Sequence, residues 1–403
     1  MSASSRLPIC HVQLLPLMSG IQRITLQVLD VLDFDRFEPH VVCNGPGPFA
    51  DELVRRGVTC HFLPNLVRPI HPWRDWLAYR DLKRLFVRER FAVVHSHCSK
   101  PGILARIAAR RAGVPCVIHH VQSFAFHEFS KPWTRWFYTR CERAAAPFGD
   151  RVIFVNHHDR AAAVDGGILP LERCPLIYNG TDLSLFRPSF APRADTPLRA
   201  SLGMRADDAL IYFVARLEKP KQPLLLPDIA AELQRRVPQA GWKLVIAGEG
   251  AYREAVERKI ARLGIGHRIV LLGWQSEEAK YATYHEADVV LQPSLWEGLS
   301  LTLIEAQAAG LPAVAGDVKG NREVVVAGTG FVCEPRSAAA YADRLAELVV
   351  DPTLRRRLGR AARAHAEREF DVDRNMRRVT ALYDELLREA GMATGPNPHR
   401  AAA

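Results

Sequence analysis

Short apolar runs alternate with segments of helical spacing along most of the chain, and the rhythm starts twice. This constrains the fold more than anything else in the sequence. A parallel strand is buried on both faces and cannot reach its neighbour without a crossover of a dozen or more residues, usually a helix. Candidate strands in the first half are residues 9–15, 37–44, 59–64, 92–97, 115–121 and 151–156; those of the second half are 209–216, 242–250, 268–273, 287–294 and 311–316. Each is followed by an amphipathic stretch or a turn. The class is α/β with two doubly wound domains.

Between the halves lies FRPSFAPRADTPLRASLG (186–203), whose prolines and small residues sustain neither a helix nor a central strand. We place the first domain at 1–187, a linker at 188–203 and the second domain at 204–370. From about 338 to 390 the apolar spacing is helical, which predicts helices packed on the second domain. The final one, 371–390, has the first domain as its other possible seat. The tail, 391–403, has little to bury and is expected to be disordered.

The chain has 403 residues, 48% of them hydrophobic, enough for two sizeable cores, which excludes small disulfide scaffolds and disordered chains. A formal charge of +10 favours anionic partners such as nucleotides or an acidic membrane face. The cysteines at 10, 43, 60, 98, 116, 141, 174 and 333 form no CxxC and no zinc spacing, so they read as reduced thiols of a cytoplasmic protein without a metal. The N-terminal MSASSRLPICHVQLLPLM carries His11 and Gln13 and no small-residue cleavage pattern, which fits a buried first strand better than a signal peptide. No stretch approaches the roughly 18 apolar residues of a membrane span.

The most informative segment is PSLWEGLSLTLIEAQAAGLP, 293–312. A strand ends, Gly298 allows a tight turn, and a helix begins near Leu301. The backbone N–H groups of Gly298, Leu299 and Ser300, with the helix dipole behind them, make an anion site. Glu297 precedes that helix and Glu305 lies eight residues on, about 12 Å away at helical rise. Glycosidase carboxyl pairs stand about 5 Å or 6.5–9.5 Å apart, so the longer span suits the two ends of an extended ligand such as a nucleotide sugar. Upstream, the strand 209–216 ends in Arg216 and Lys221 follows five residues later, at the carboxyl edge where α/β folds bind ligands, and two cations there can neutralise a diphosphate. In GEGAYR, Arg253 occupies the place of a third glycine, which weakens a nicotinamide reading. The acidic DFD at 33–35 reads as a surface turn.

Together these motifs resemble the retaining family-4 glycosyltransferases of the GT-B fold over nearly the whole chain. The similarity lies in WEGLSLTLIEAQAAGLP, the Arg216/Lys221 pair, AGEGAYREAVERKIARLGIGHRIVLLGW, IYNGTDLSLFRP (177–188) and HSHCSKPGILARIAARRAGVP (95–115). It implies two Rossmann-like domains facing a central cleft. It also implies that Glu297 contacts the donor sugar and Glu305 the ribose, while Arg216, Lys221 and the turn amides hold the diphosphate. MSGIQRITLQVL (18–29) resembles the glycine loop that faces the diphosphate, with Gly20 nearest. One departure stands out. IHHVQSFAFHEF (118–129) resembles a segment reading H-T-V-H-G-F, whose second histidine lies beside the reacting sugar carbon; Gln122 stands at that position here. By the two-residue strand period His120 shares a face with Gln122 while His119 points away, which makes His120 the substitute candidate.

The expected activity is a metal-independent, retaining hexosyl transfer, without cofactor, from a nucleoside diphosphate sugar, UDP-linked rather than GDP-linked. The acceptor is a polyprenyl-diphosphate-linked or oligosaccharide glycan of bacterial surface polysaccharide synthesis. In the family's mechanism the leaving phosphate can take the acceptor's proton, so the loss of the histidine need not abolish transfer. The alternatives are a nucleotide-sugar 2-epimerase of the same fold and a non-catalytic nucleotide-sugar-binding scaffold. No motif points to nucleic acid. Two basic aromatic stretches, 68–91 and 131–151, suit a headgroup interface and suggest peripheral contact with the inner face of an anionic membrane; packing of their aromatics into the core is the competing reading.

Overall fold

A computed structural model describes residues 6–124, 130–186, 188 and 196–392. The chain divides into two compact units, one made of residues up to Asn179 together with those from Asp373 onward, the other of Gly180–Val372.

The first unit holds a six-stranded parallel sheet of β1 (Leu7–Val12), β2 (Phe37–Cys43), β3 (Thr59–Phe62), β4 (Val93–His97), β5 (Cys116–Val121) and β6 (Arg151–Phe154). Its order is β3-β2-β1-β4-β5-β6. The second repeats the pattern with β7 (Ala209–Val214), β8 (Trp242–Ala247), β9 (Ile269–Gly273), β10 (Val289–Gln292), β11 (Ala313–Gly316) and β12 (Gly330–Cys333), ordered β12-β11-β10-β7-β8-β9. In each sheet the chain starts in the middle, winds to one edge and then returns to fill the other. The order therefore reverses between β1 and β4 and between β7 and β10, and the carboxyl ends of those neighbours are where such folds bind ligands.

The strands form where the apolar runs predict them but most stop short of the expected carboxyl ends. Arg216, for example, falls beyond the end of β7, in the loop that follows. β12 was not anticipated: it is four residues long and only Cys333 is buried, so it carries little apolar signal. The first core packs Val42, Leu82, Phe86, Val94 and Val117, and the second Phe213, Trp242, Ile246, Tyr341 and Leu345.

Two organisational expectations need correction, and a third had two outcomes open. The units part at Asn179/Gly180, ahead of residue 187. Within the expected linker, Pro197–Ser201 forms a short helix because Arg199, 1% exposed, is held by the second unit: it pairs with Asp288, and its backbone N–H donates to Glu286 Oε2 at 3.0 Å. Residues 187 and 189–195 of that stretch lie outside the described residues. Of the three C-terminal helices, Ala338–Val350 and Pro352–Glu369 belong to the second unit, and Val372–Glu389 runs almost wholly in the first, the other seat open to it. There Met376, Val379, Tyr383 and Leu387 are fully buried, and Arg36–Asp384 and Arg151–Glu385 ion pairs at 2.7 Å hold the helix at its flanks. The tail expected to be disordered lies outside the described residues from 393 on.

All eight cysteines are unpaired thiols. Among the described residues no helix is long and apolar enough to cross a membrane. Asp33–Asp35 form a turn, with the Asp35 N–H donating to Asp33 Oδ1 at 3.0 Å.

Candidate functional site

At the second unit's order reversal, β10 ends at Gln292, and the loop after it delivers Glu297 before the helix Leu301–Ala308. Three groups converge on Glu297 Oε1. Ser294 Oγ donates at 2.7 Å, Gln292 Nε2 at 3.3 Å, and Lys221 Nζ forms an ion pair with the same oxygen. Lys221 is placed by its own turn, Lys219–Lys221. The next residue, Gln222, takes a left-handed conformation (φ 49°) and donates to the carbonyls of Pro293 (2.6 Å) and Pro335 (2.5 Å), while the Leu295 N–H donates to Pro220 O at 2.8 Å. Lys221 and Glu297 are thus fixed by backbone ties as well as by charge. Sequence reasoning passed over Gln222, Gln292 and Ser294; only their adjacency to expected residues could have signalled them.

Ser300 caps the helix Leu301–Ala308, yet its buried Oγ has no hydrogen-bond partner and makes no cap bond. A hydroxyl left unsatisfied at a helix N-terminus suits an incoming anionic oxygen. Leu299 is buried beside it, and Gly298 completes the turn. Glu305, 9% exposed, accepts from Lys280 Nζ at 2.7 Å and from the Tyr284 hydroxyl at 3.1 Å. Burial and the neighbouring Glu305 carboxylate push the Tyr284 phenol well above its ordinary range, which keeps it a donor. Arg216 stands apart from the Lys221–Glu297 group: its guanidinium is exposed and bonds Glu218 at 2.8 Å.

Two glycines outside the expected motif shape this region. Gly320 packs so tightly beneath the loop that a Cβ there would lie 2.6 Å from the carbonyl oxygens of both Glu297 and Gly298. Gly248, at φ 135°, approaches Ala215 so closely that a Cβ would sit 1.9 Å from its carbonyl oxygen. The GEG glycines therefore seat the loop that carries Arg216, which accounts for them without a dinucleotide.

In the first unit Gly20 opens the helix Gly20–Asp30, which follows β1 at that sheet's order reversal. His119 and His120 leave β5 on opposite faces. His119 is packed against Gly102 and Ser96, its Nδ1 3.1 Å from Ser96 Oγ. His120 is fully buried with its ring 5.6 Å from those of His95 and His97, and burial pushes its pKa down to about 3. Gln122 Oε1 accepts from Asn179 Nδ2 at 2.8 Å, which joins the departing residue to the NGTD segment. Residues 125–129 of that stretch lie outside the described residues.

The basic aromatic stretches do not bury their tryptophans. Trp73 and Trp76 on the helix Pro72–Glu89 and Trp133 and Trp136 on Pro132–Ala145 are 49–67% exposed. Arg80 lies 5.1 Å over the Trp76 ring and Arg140 5.2 Å over Trp136.

This architecture is shared with solved structures. Anabaena HepE, crystallised in complex with UDP and glucose, matches over 94% of this chain and 100% of its own with a TM-score of 0.75 at 19% identity. The apo form of the lipopolysaccharide outer core galactosyltransferase WaaB matches over 95% and 99% with a TM-score of 0.69 at 16% identity. The fold class is thus GT-B, an α/β fold of two domains. The family description Glycosyl transferase 4-like domain fits residues 19–180, and Glycosyl transferases group 1 fits 195–365. The UDP-Gal:alpha-D-GlcNAc-diphosphoundecaprenol alpha-1,3-galactosyltransferase of Escherichia coli is 30% identical over 390 residues, covering 96% of this chain and 99% of its own. The chain belongs to family 4 of the GT-B glycosyltransferases, and its activity is glycosyl transfer.

Proposed function

We propose that the protein is a retaining hexosyltransferase that uses a UDP-sugar and a polyprenyl-diphosphate-linked or oligosaccharide acceptor in bacterial surface polysaccharide synthesis. The observation that carries this reading is the full-length similarity to an E. coli enzyme whose name specifies UDP-galactose and a diphosphoundecaprenol-linked acceptor. In this reading Lys221, the Ser300 hydroxyl and the amides of Gly298, Leu299 and Ser300 receive the diphosphate. Arg216, held at present only by an exposed pair with Glu218, swings onto it from the loop after β7. Glu297 accepts a hydroxyl of the sugar, and Glu305 one of the ribose.

Transfer breaks the bond between the anomeric carbon and the β-phosphate oxygen. The acceptor oxygen bonds that carbon, and its proton passes to the departing diphosphate. Lys221 and Arg216 stabilise the charge that develops there. Gln122, paired with Asn179, hydrogen-bonds a sugar hydroxyl in this reading, with His120 just before it near the end of β5. The exposed tryptophans and their neighbouring arginines support peripheral attachment to an anionic membrane, where a lipid-linked acceptor resides.

Release of nucleoside diphosphate from UDP- and GDP-sugars, with and without a membrane lipid extract, tests the reading. Extract-dependent release from a UDP-sugar supports it. Donor conversion without any acceptor would replace it with epimerisation, and tight binding without release would replace it with the scaffold.

A further inference from the structure

β1 and β4 are paired in parallel with His11 opposite His95, and His97 follows two residues later. All three imidazoles therefore leave the same face of the first sheet. His11 Nδ1 lies 3.2 Å from His97 Nε2, the rings of His95 and His97 are 4.4 Å apart, and one nitrogen from each of the three falls within 4.8 Å of the others. The three rings are at most 1% exposed. Tyr383, from the C-terminal helix, closes over them with its hydroxyl 2.6 Å from His95 Nδ1 and 3.3 Å from His11 Nε2. His95 Nε2 and His97 Nδ1 find no partner, nor does either nitrogen of the adjacent His120. A well-packed interior seldom leaves so many polar atoms unanswered. The residues proposed to hold the donor in the second unit do not account for this group.

We propose that His11, His95 and His97 form a binding site for a late first-row transition-metal ion, Zn²⁺ foremost, with the Tyr383 hydroxyl at the fourth position. Zinc bonds imidazole nitrogen at about 2.0–2.1 Å, which sets ligand atoms roughly 3.3 Å apart in a tetrahedron. The 3.3 Å between His11 Nε2 and the Tyr383 hydroxyl already matches that edge. An all-imidazole set selects zinc, copper, nickel or cobalt over calcium and magnesium, which require oxygen ligands. The ion would join two adjacent strands to the helix that returns from the far end of the chain. Its role there is structural and separate from the transfer chemistry.

Tag-free, full-length protein stripped with chelator and titrated with Co²⁺ tests the site. Because the group is interior, loading is also carried out during refolding from denaturant. The expected result is one Co²⁺ per chain with an intense visible ligand-field spectrum, displacement by one equivalent of Zn²⁺, and a higher melting temperature in the loaded protein. His97→Gln should lose the spectrum, and Tyr383→Phe should change it while retaining uptake. Absence of uptake by the wild-type chain under both loading conditions overturns the site, whether or not the variants fold. Uptake that persists undiminished in folded His97→Gln overturns it equally, and a spectrum unaltered in Tyr383→Phe removes Tyr383 as a ligand. UDP binding, measured in parallel, reports on the donor residues of the second unit and leaves the two readings distinguishable.

Discussion

Lys221 and Glu297 are each recognisable in the sequence, one as a cation after a strand and one as the carboxylate before an anion-binding turn. Their pairing is not, because 76 positions separate them and nothing local records the contact. The lysine pairs with the very carboxylate proposed to meet the sugar, so in that reading donor binding redistributes the charge. Lys221→Ala is expected to lower turnover by about 10²–10³-fold, the scale of losing one preorganised electrostatic contact to a transition state. Folding stability should suffer less than turnover, since Glu297 keeps the Ser294 and Gln292 donors when the lysine is removed. Steady-state kinetics alongside thermal melts would separate the two; a melt that collapses with the activity would mean the pair is architectural. Gln292, Ser294 and Gln222 stayed illegible for a plainer reason: polar side chains at strand ends are ordinary, and only their convergence makes them informative.

At the level of elements, the βα rhythm revealed eleven of the strands because parallel strands buried on both faces need continuous apolar runs. β12 escaped because an edge strand with one buried residue needs none. The last helix has two possible seats at this level: its apolar face is evident in the sequence, but periodicity does not choose the partner that covers it. Glycines beneath the Glu297 loop were equally silent, although one is decisive. Gly320→Ala would drive a methyl into two backbone carbonyls, and overpacking of this kind costs about 1–3 kcal/mol. The expected signature is a KM for the donor that rises by at least about tenfold, with a smaller loss of kcat, because the displaced element is the loop that carries Glu297. A second test concerns the helix Pro352–Glu369, where buried His365 donates from Nδ1 to Gln307 Oε1 at 2.9 Å and burial lowers its pKa. The folded state then binds a proton less readily than the unfolded state. Its contribution is complete above the unfolded value near 6.5 and is lost as pH falls below it, by up to about 1.4 kcal/mol per pH unit. Denaturant melts from pH 7.5 to 5 should show that slope reduced in His365→Gln; an identical slope would assign the acid sensitivity elsewhere.

On the scale of the whole molecule, two surfaces extend beyond the donor-binding residues. Four exposed tryptophans beside arginines predict that Trp73→Ala combined with Trp133→Ala lowers partitioning onto anionic vesicles by about tenfold, or about 1.4 kcal/mol. Vesicle sedimentation would check this, and unchanged partitioning would leave the acceptor to arrive by another route. Ending the chain after Val372 removes four fully buried side chains from the first unit, Met376, Val379, Tyr383 and Leu387. Each large buried side chain lost costs about 2–5 kcal/mol, so the four together cost about 8–20 kcal/mol, as much as the usual 5–15 kcal/mol stability of a whole domain. Calorimetry should then show the second unit melting alone.

The first unit is built from both ends of the chain, with the 193 residues Gly180–Val372 between them. At a synthesis rate of about 5–20 residues per second, roughly 10–40 s pass on the ribosome between the emergence of Asn179 and that of Asp373. By the end of that interval the second unit has everything it needs to fold, while the first still waits with the sheet face of His11, His95 and His97 uncovered. The nascent chain is therefore most exposed to chaperones and to misassociation not when its first domain appears, but just before its last helix leaves the ribosome.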